Sequence, residues 1–150
     1  MKKNISKDLI LKACITKQEE LVNNFDAKVN ELKAEASSQR QSASQTEDRT
    51  AGDVELLDTL QRELTFVQME MGFLKSLNPE ITNTKVEPGA VVVTNQRTFF
   101  IAVSSEKIEI DGQEIFGIST NAPIYSTMTG LTKADEFEFN GISYTILTVY

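Results

Sequence analysis

Residues 11–36 read LKACITKQEELVNNFDAKVNELKAEA, and residues 57–74 read LDTLQRELTFVQMEMGFL. In the first stretch Leu11, Ile15, Gln18, Val22, Phe25, Val29, Leu32 and Ala36 alternate steps of four and three without a slip. In the second, Leu57, Leu60, Leu64, Val67, Met71 and Leu74 do the same in the opposite phase. That alternation is the heptad seam of a coiled coil. Residues 1–77 contain no proline and only Gly52 and Gly72 as glycines, which suits long helices. Between the seams lies the polar run from Ser42 to Gly52, where the apolar signal stops. Neither amphipathic face is stable alone in water, so the two stretches are predicted to fold back on each other as an antiparallel hairpin. The tip is expected at about residues 44–53, with Asp53 capping the second helix or sitting in its first turn, facing the helix dipole. About 30 residues at ~1.5 Å each give a finger of about 45 Å.

After Leu77-Asn-Pro79 the period changes to two and β-branched residues take over. Strands are predicted around Val86 and over residues 91–94, 98–103, 107–110, 114–118, 136–139 and 144–149. Asp111-Gly112 and Asn140-Gly141 are tight-hairpin signals between them, and residues 123–130 suit a short helix. The expected fold is α+β, with a helical hairpin over residues 1–78 and an antiparallel sheet domain with a short helix over residues 79–150.

Composition restricts the chemistry. The 22 acidic residues outnumber 15 basic ones, giving a formal charge of −7, which argues against a broad nucleic-acid grip and against direct DNA binding. Histidine is absent, which removes Ser-His-Asp and Cys-His nucleophile systems and histidine-based zinc sites. The lone Cys14 lies in a helical stretch and reads as a small packing residue, and one cysteine forms no internal disulfide. No apolar run reaches the roughly 20 residues that span a bilayer. Lys7, Asp8 and Lys12 interrupt any apolar core of a secretory signal after Lys2 and Lys3, so a cytoplasmic protein is expected.

The run from Gly117 to Gly130, Gly-Ile-Ser-Thr-Asn-Ala-Pro-Ile-Tyr-Ser-Thr-Met-Thr-Gly, resembles the FKBP-like body of Gre-type transcript cleavage factors. So do Ala134-Asp-Glu-Phe-Glu-Phe139, the closing Tyr144-Thr-Ile-Leu-Thr-Val149 and the upstream Pro88-Gly-Ala-Val-Val-Val93. With a coiled-coil hairpin N-terminal to them, the resemblance covers nearly the whole chain. It implies a monomer that docks on bacterial RNA polymerase and inserts its finger into the secondary channel. There the acids of a Gre tip help hold the polymerase's own Mg²⁺ so that backtracked RNA is cleaved. The factor touches nascent RNA only indirectly, carries no cofactor and binds no metal stably alone. Mg²⁺ suits such sharing, because it prefers oxygen ligands and often takes only one or two carboxylates beside phosphate and water.

The family tip reads Gly-Asp-x-x-Glu-Asn, whereas here Gly52 and Asp53 are followed by Leu56 at the second acid position and Leu57 at the Asn. Glu55 comes one residue early, turned about 100° around the helix. Glu47 and Asp48 are further acids able to supply the missing carboxylate; the alternative is that all of these are solvated charges near a helix start. In the body, Ala122 stands where the family has Ser before Pro, and Thr127 stands for Ala. The resemblance places polymerase docking at Ile118, Ser119, Asn121, Ala122, Pro123 and Ile124, with simple closure of the sheet as the other reading.

Three further functions stay open at this point. One is a channel-binding inhibitor or regulator without cleavage activity. Another is a peptidyl-prolyl isomerase, suggested by the FKBP-like body alone. The third is a plain interaction module whose helices pair with another chain, with Gln18 and Gly72 setting register.

Overall fold

The computed structural model describes the backbone of residues 4–41 and 47–150 and the side chains of residues 4–35 and 54–150. Two long helices, α1 (Lys7–Gln41) and α2 (Glu47–Ser76), precede six strands. These are β1 (Val91–Thr94), β2 (Thr98–Ala102), β3 (Ile108–Ile110), β4 (Gln113–Ser119), β5 (Glu136–Phe139) and β6 (Ile142–Val149). A short helix, α3 (Pro123–Met128), lies between β4 and β5. The chain divides into two compact units, one of Met1–Ile15 with Phe73–Tyr150 and the other of Thr16–Gly72. The first turns of α1 and the last turn of α2 thus belong with the sheet. No helix among the described residues is long and apolar enough to cross a membrane.

Within Thr16–Gly72 the helices follow the heptad pattern. Gln18, Val29, Val67 and Met71 are buried, and Val22, Phe25, Leu32, Leu57, Leu60 and Leu64 are half-buried. Gln18, near the start of α1, reaches Val67 near the end of α2, 49 residues along the chain. Two helices separated by five residues can meet there only by running antiparallel. The start of α2 differs from expectation. It begins at Glu47, so Gly52 and Asp53 lie inside the helix and Asp53 does not cap it. Acidic residue types such as those at positions 47 and 48 are common at helix starts. A single interior glycine costs only about 1 kcal/mol against alanine, too little to stop the helix at Gly52.

In the other unit the strand order is β3-β4-β2-β1-β6-β5. Every pairing is antiparallel except β2 with β4, which is parallel, so the sheet is antiparallel in the main, as expected, with one parallel pair inside it. After β2 the chain crosses to the sheet edge, forms β3, and the β3–β4 hairpin returns β4 alongside β2. Both predicted hairpins form. Asp111 and Gly112 sit at φ of 50° and 77°, and Asn140 and Gly141 at 53° and 77°, the left-handed pair that a type I′ turn requires.

Strand alternation gives the sheet two buried faces. Val91, Phe100, Ala102 and Ile115 pack with Ile10, Leu11, Cys14 and Leu74 from the helix roots. Val92, Phe99, Ile101, Ile118 and Ile146 turn the other way and pack with Met128 of α3 and with Phe137 and Tyr144. The Phe137 and Tyr144 rings stack with centroids 4.8 Å apart. The segment joining α2 to the sheet is tied to α1 by the buried Lys7, whose Nζ donates to the Ile81 carbonyl at 2.6 Å and to Asn83 Oδ1. Burial pulls the Lys7 pKa below its usual value, and the charge of Glu87 partly offsets that. Tyr150 Oη donates to the Ile5 carbonyl at 2.6 Å, and the Tyr150 backbone pairs with Val91.

Two outcomes follow. A Cβ at Gly117 would meet the Val103 carbonyl oxygen at 2.5 Å and come closer still to Ser105 Oγ. Gly117→Ala should therefore cost about 1–3 kcal/mol, read as a lower denaturant midpoint. Burial pushes the Tyr150 hydroxyl up to about 12 from its usual 10. A phenol whose folded pKa is raised stabilises the fold fully below pH 10, and that contribution is lost as pH rises towards 12. Between those limits the wild type should lose on the order of 2 kcal/mol more than Tyr150→Phe, measured by chemical unfolding at each pH.

Candidate functional site

The hairpin unit is a seam of apolar side chains with one polar group inside it. Gln18 is buried, and its Nε2 donates to the Val67 carbonyl at 2.9 Å and to Glu70 Oε1 at 3.3 Å. Burial raises the Glu70 pKa, while the hydrogen bond from Gln18 pulls it back down. A buried polar side chain at a seam position costs stability but holds one register. Read from sequence as a mild interruption, Gln18 is instead a specific cross-helix contact. Its partners were not legible, because a heptad pattern gives faces and not partners.

That register fixes which residues lie near the connecting end. Glu47, Asp48 and Asp53 fall within α2 by backbone, and their side chains lie outside the described residues. Glu55 is exposed, and its carbonyl accepts from Thr59 Oγ1 at 3.0 Å, a bond that turns Thr59 back along the helix. Leu56, at the position where the resemblance implies an acid, is 49% exposed, and Val54 is 57% exposed. Both point away from the seam that takes Leu57 and Leu60. Just beyond, Asp58 bridges Arg62 at 3.0 Å, an exposed pair one helical turn apart that contributes little to stability. Among the described residues no three histidine, cysteine or acidic side chains converge as metal ligands.

The 118–124 segment leaves β4 and begins α3. Ile118 is 6% exposed and packs in the core beneath α3. Strand alternation sends it inward along with Phe99 and Ile101. Ala122 and Ile124 are half-buried against the same core. Ser119 Oγ accepts from the Asn121 backbone N–H at 3.1 Å, and the Ser119 carbonyl accepts from Ala122 at 3.0 Å, which closes the turn. Pro123 opens α3, and no side-chain cap precedes it, because Ala122 has no hydroxyl to offer. Thr120, Asn121 and Pro123 are exposed and Ser119 is half-buried.

A feature that no motif signalled is a cleft of about 740 Å³ in the sheet unit, bounded by the β1–β2 turn, the β3–β4 turn and the end of β6. Arg97 lies on its wall with its guanidinium carbon 4.9 Å from the centre of the Phe116 ring. The pair is distant in sequence and meets only through the parallel β2–β4 pairing.

No family model matches the sequence, and no curated protein aligns with it significantly. Among solved structures, the chain is similar to Gfh1 of Thermus aquaticus at 12% identity and a TM-score of 0.33, over 93% of this chain and 95% of that one. A GreA factor homolog 1 (Gfh1) protein of Thermus thermophilus gives 11% identity and a TM-score of 0.35, over 93% and 96%. Another structure of the transcription factor Gfh1 gives 12% and 0.34, over 93% and 94%. Values this low leave the function to be read from the chain's own residues.

The Gln18 contact is testable. Gln18→Leu extends the apolar seam, and unfolding should show a gain of roughly 1 kcal/mol. The Glu70 carboxyl, losing the donor that favours its charged form, should titrate at a higher pH than in wild type, read by carbon NMR.

Proposed function

We propose that this chain is a Gre-type factor that enters the secondary channel of bacterial RNA polymerase in the cytoplasm, acting through the polymerase's catalytic site and not one of its own. The observation that carries this reading is the closed heptad seam, in which Gln18 of α1 meets Val67 and Glu70 of α2. Two helices of 35 and 30 residues held in one register make a stiff probe, long for a chain of 150 residues. The second support is the Gly117–Gly130 stretch with its Pro123 turn and short helix, as the resemblance implies. The partner is polymerase, contact with RNA is indirect, and the net charge of −7 disfavours a direct grip on DNA. The factor works as a monomer.

In this reading Asp53, with Glu55, Glu47 or Asp48 as a second carboxylate, supplies oxygen to the polymerase's Mg²⁺ and its attacking water. A metal-bound water is the nucleophile, and an added carboxylate orients it and neutralises charge near the metal. The exposed Leu56 favours a second reading within the same class. An apolar side chain at that position occupies the channel without ligating metal, so the factor competes for the site and inhibits.

Purified factor added to a backtracked elongation complex should shorten the RNA from its 3′ end. Asp53→Asn should slow that at least tenfold, about 1.4 kcal/mol of barrier, and Leu56→Glu should speed it. RNA that stays intact while the factor displaces another secondary-channel ligand selects the inhibitor. RNA that stays intact together with no displacement of a secondary-channel ligand would overturn the polymerase reading altogether.

A further inference from the structure

We propose that the cleft beside Arg97 is a binding site for a short acidic peptide segment of a partner protein, with Arg97 as the residue that reads a carboxylate. This goes beyond the polymerase reading and does not depend on it, since it concerns a different part of the sheet unit from residues 118–124.

The first support is how Arg97 is held. Its guanidinium rests over the Phe116 ring at 4.9 Å, and it makes no ion pair among the described residues. A ring fixes a cation without using up its planar fork of N–H donors, the group best matched to a carboxylate. The backbone beneath is equally fixed. Thr94 Oγ1 accepts from the N–H groups of Gln96 at 3.1 Å and Arg97 at 2.9 Å, and donates to the Arg97 carbonyl at 2.6 Å. Asn95 clamps the same turn to β6, exchanging bonds with Thr145 at 2.8 and 3.1 Å. Arg97 is therefore presented from a rigid turn, so little ordering entropy is lost when a ligand binds.

The second support is the rest of the lining. Asn4 and Gln96 also line the cleft, and their amide side chains are of a type that both donates and accepts, as a peptide backbone does. Leu147, 49% exposed, adds an apolar surface on the same wall. The acid in the lining, Glu114, is paired with Lys107 at 3.0 Å, which offsets its repulsion of an anionic ligand. A volume of about 740 Å³ suits a few residues of extended chain, within the range of ligand sites generally. A nucleic-acid strand is disfavoured, because affinity for phosphates grows with the number neutralised, and Arg97 is the one cation among the described residues that line the cleft.

The test is an NMR titration of the full-length isotope-labelled chain with the capped peptide Ac-Ala-Asp-Leu-Glu-Ala-NH2. Parallel titrations use Ac-Ala-Asn-Leu-Gln-Ala-NH2, inorganic phosphate and a thymidine hexanucleotide. The acidic peptide should shift the Arg97 side-chain N–H and the backbone amides of residues 94–98 and 113–116. Arg97→Gln should weaken it at least tenfold and Arg97→Lys by less, with amide signals elsewhere unchanged as the check on folding. Four results would each overturn the proposal: no shift at these residues up to millimolar peptide, equal binding of the neutral peptide, the same shifts from phosphate or the oligonucleotide, or affinity untouched by Arg97→Gln.

Discussion

The constraint on which the helical half depends is that neither α1 nor α2 has a stable existence by itself. Long exposed helices in water gain little from propensity alone, and their apolar stripes must be covered. The seam covers them, and a seam of interchangeable apolar side chains would allow the helices to slide. Gln18 removes that freedom, because its amide finds Val67 and Glu70 in one alignment only. One buried side chain and its two partners thus fix the alignment of the helices where they meet. The same logic explains why Leu56 is informative. With the register fixed by Gln18, its exposure follows from lying one position before the seam residue Leu57.

The sheet unit obeys a different constraint, that both faces of a six-stranded sheet require cover. Neighbouring residues serve opposite faces, with Val91 and Phe100 toward the helix roots and Val92 and Phe99 toward α3. Each fully buried side chain of this size contributes about 1.5–3 kcal/mol, and the two layers share the strands that hold them. The glycine at 117 is the concession this arrangement demands. The strand carrying it passes so close to Val103 and Ser105 that no side chain fits.

Much of this was legible in the residues. The heptads marked α1 and α2, alternation marked the strands, and Asp111-Gly112 and Asn140-Gly141 marked the turns between them. Local signals reached no further. The parallel pairing of β2 with β4 depends on a crossover, and nothing in either strand announces its distant neighbour. The start of α2 was misplaced because Gly52 reads as a helix boundary, while the helix begins at Glu47 and runs through it. Ile118 sits within the motif that suggested a docking surface, yet its parity along β4 turns it into the core. The Arg97 and Phe116 contact joins residues with no common motif, so only the folded sheet brings it into view.

The outermost strands carry one more consequence. β3 and β5 are three and four residues long, and β5 lifts Glu136 and Glu138 into solvent on either side of the buried Phe137. Open strand margins invite strangers to add on, and a fibril begins when copies do so repeatedly. A second molecule aligning with β5 would have to set its own backbone beside two like-charged carboxylates, over a stretch too brief to repay the effort. The shortness and charge of these borders disfavour self-templating at high concentration.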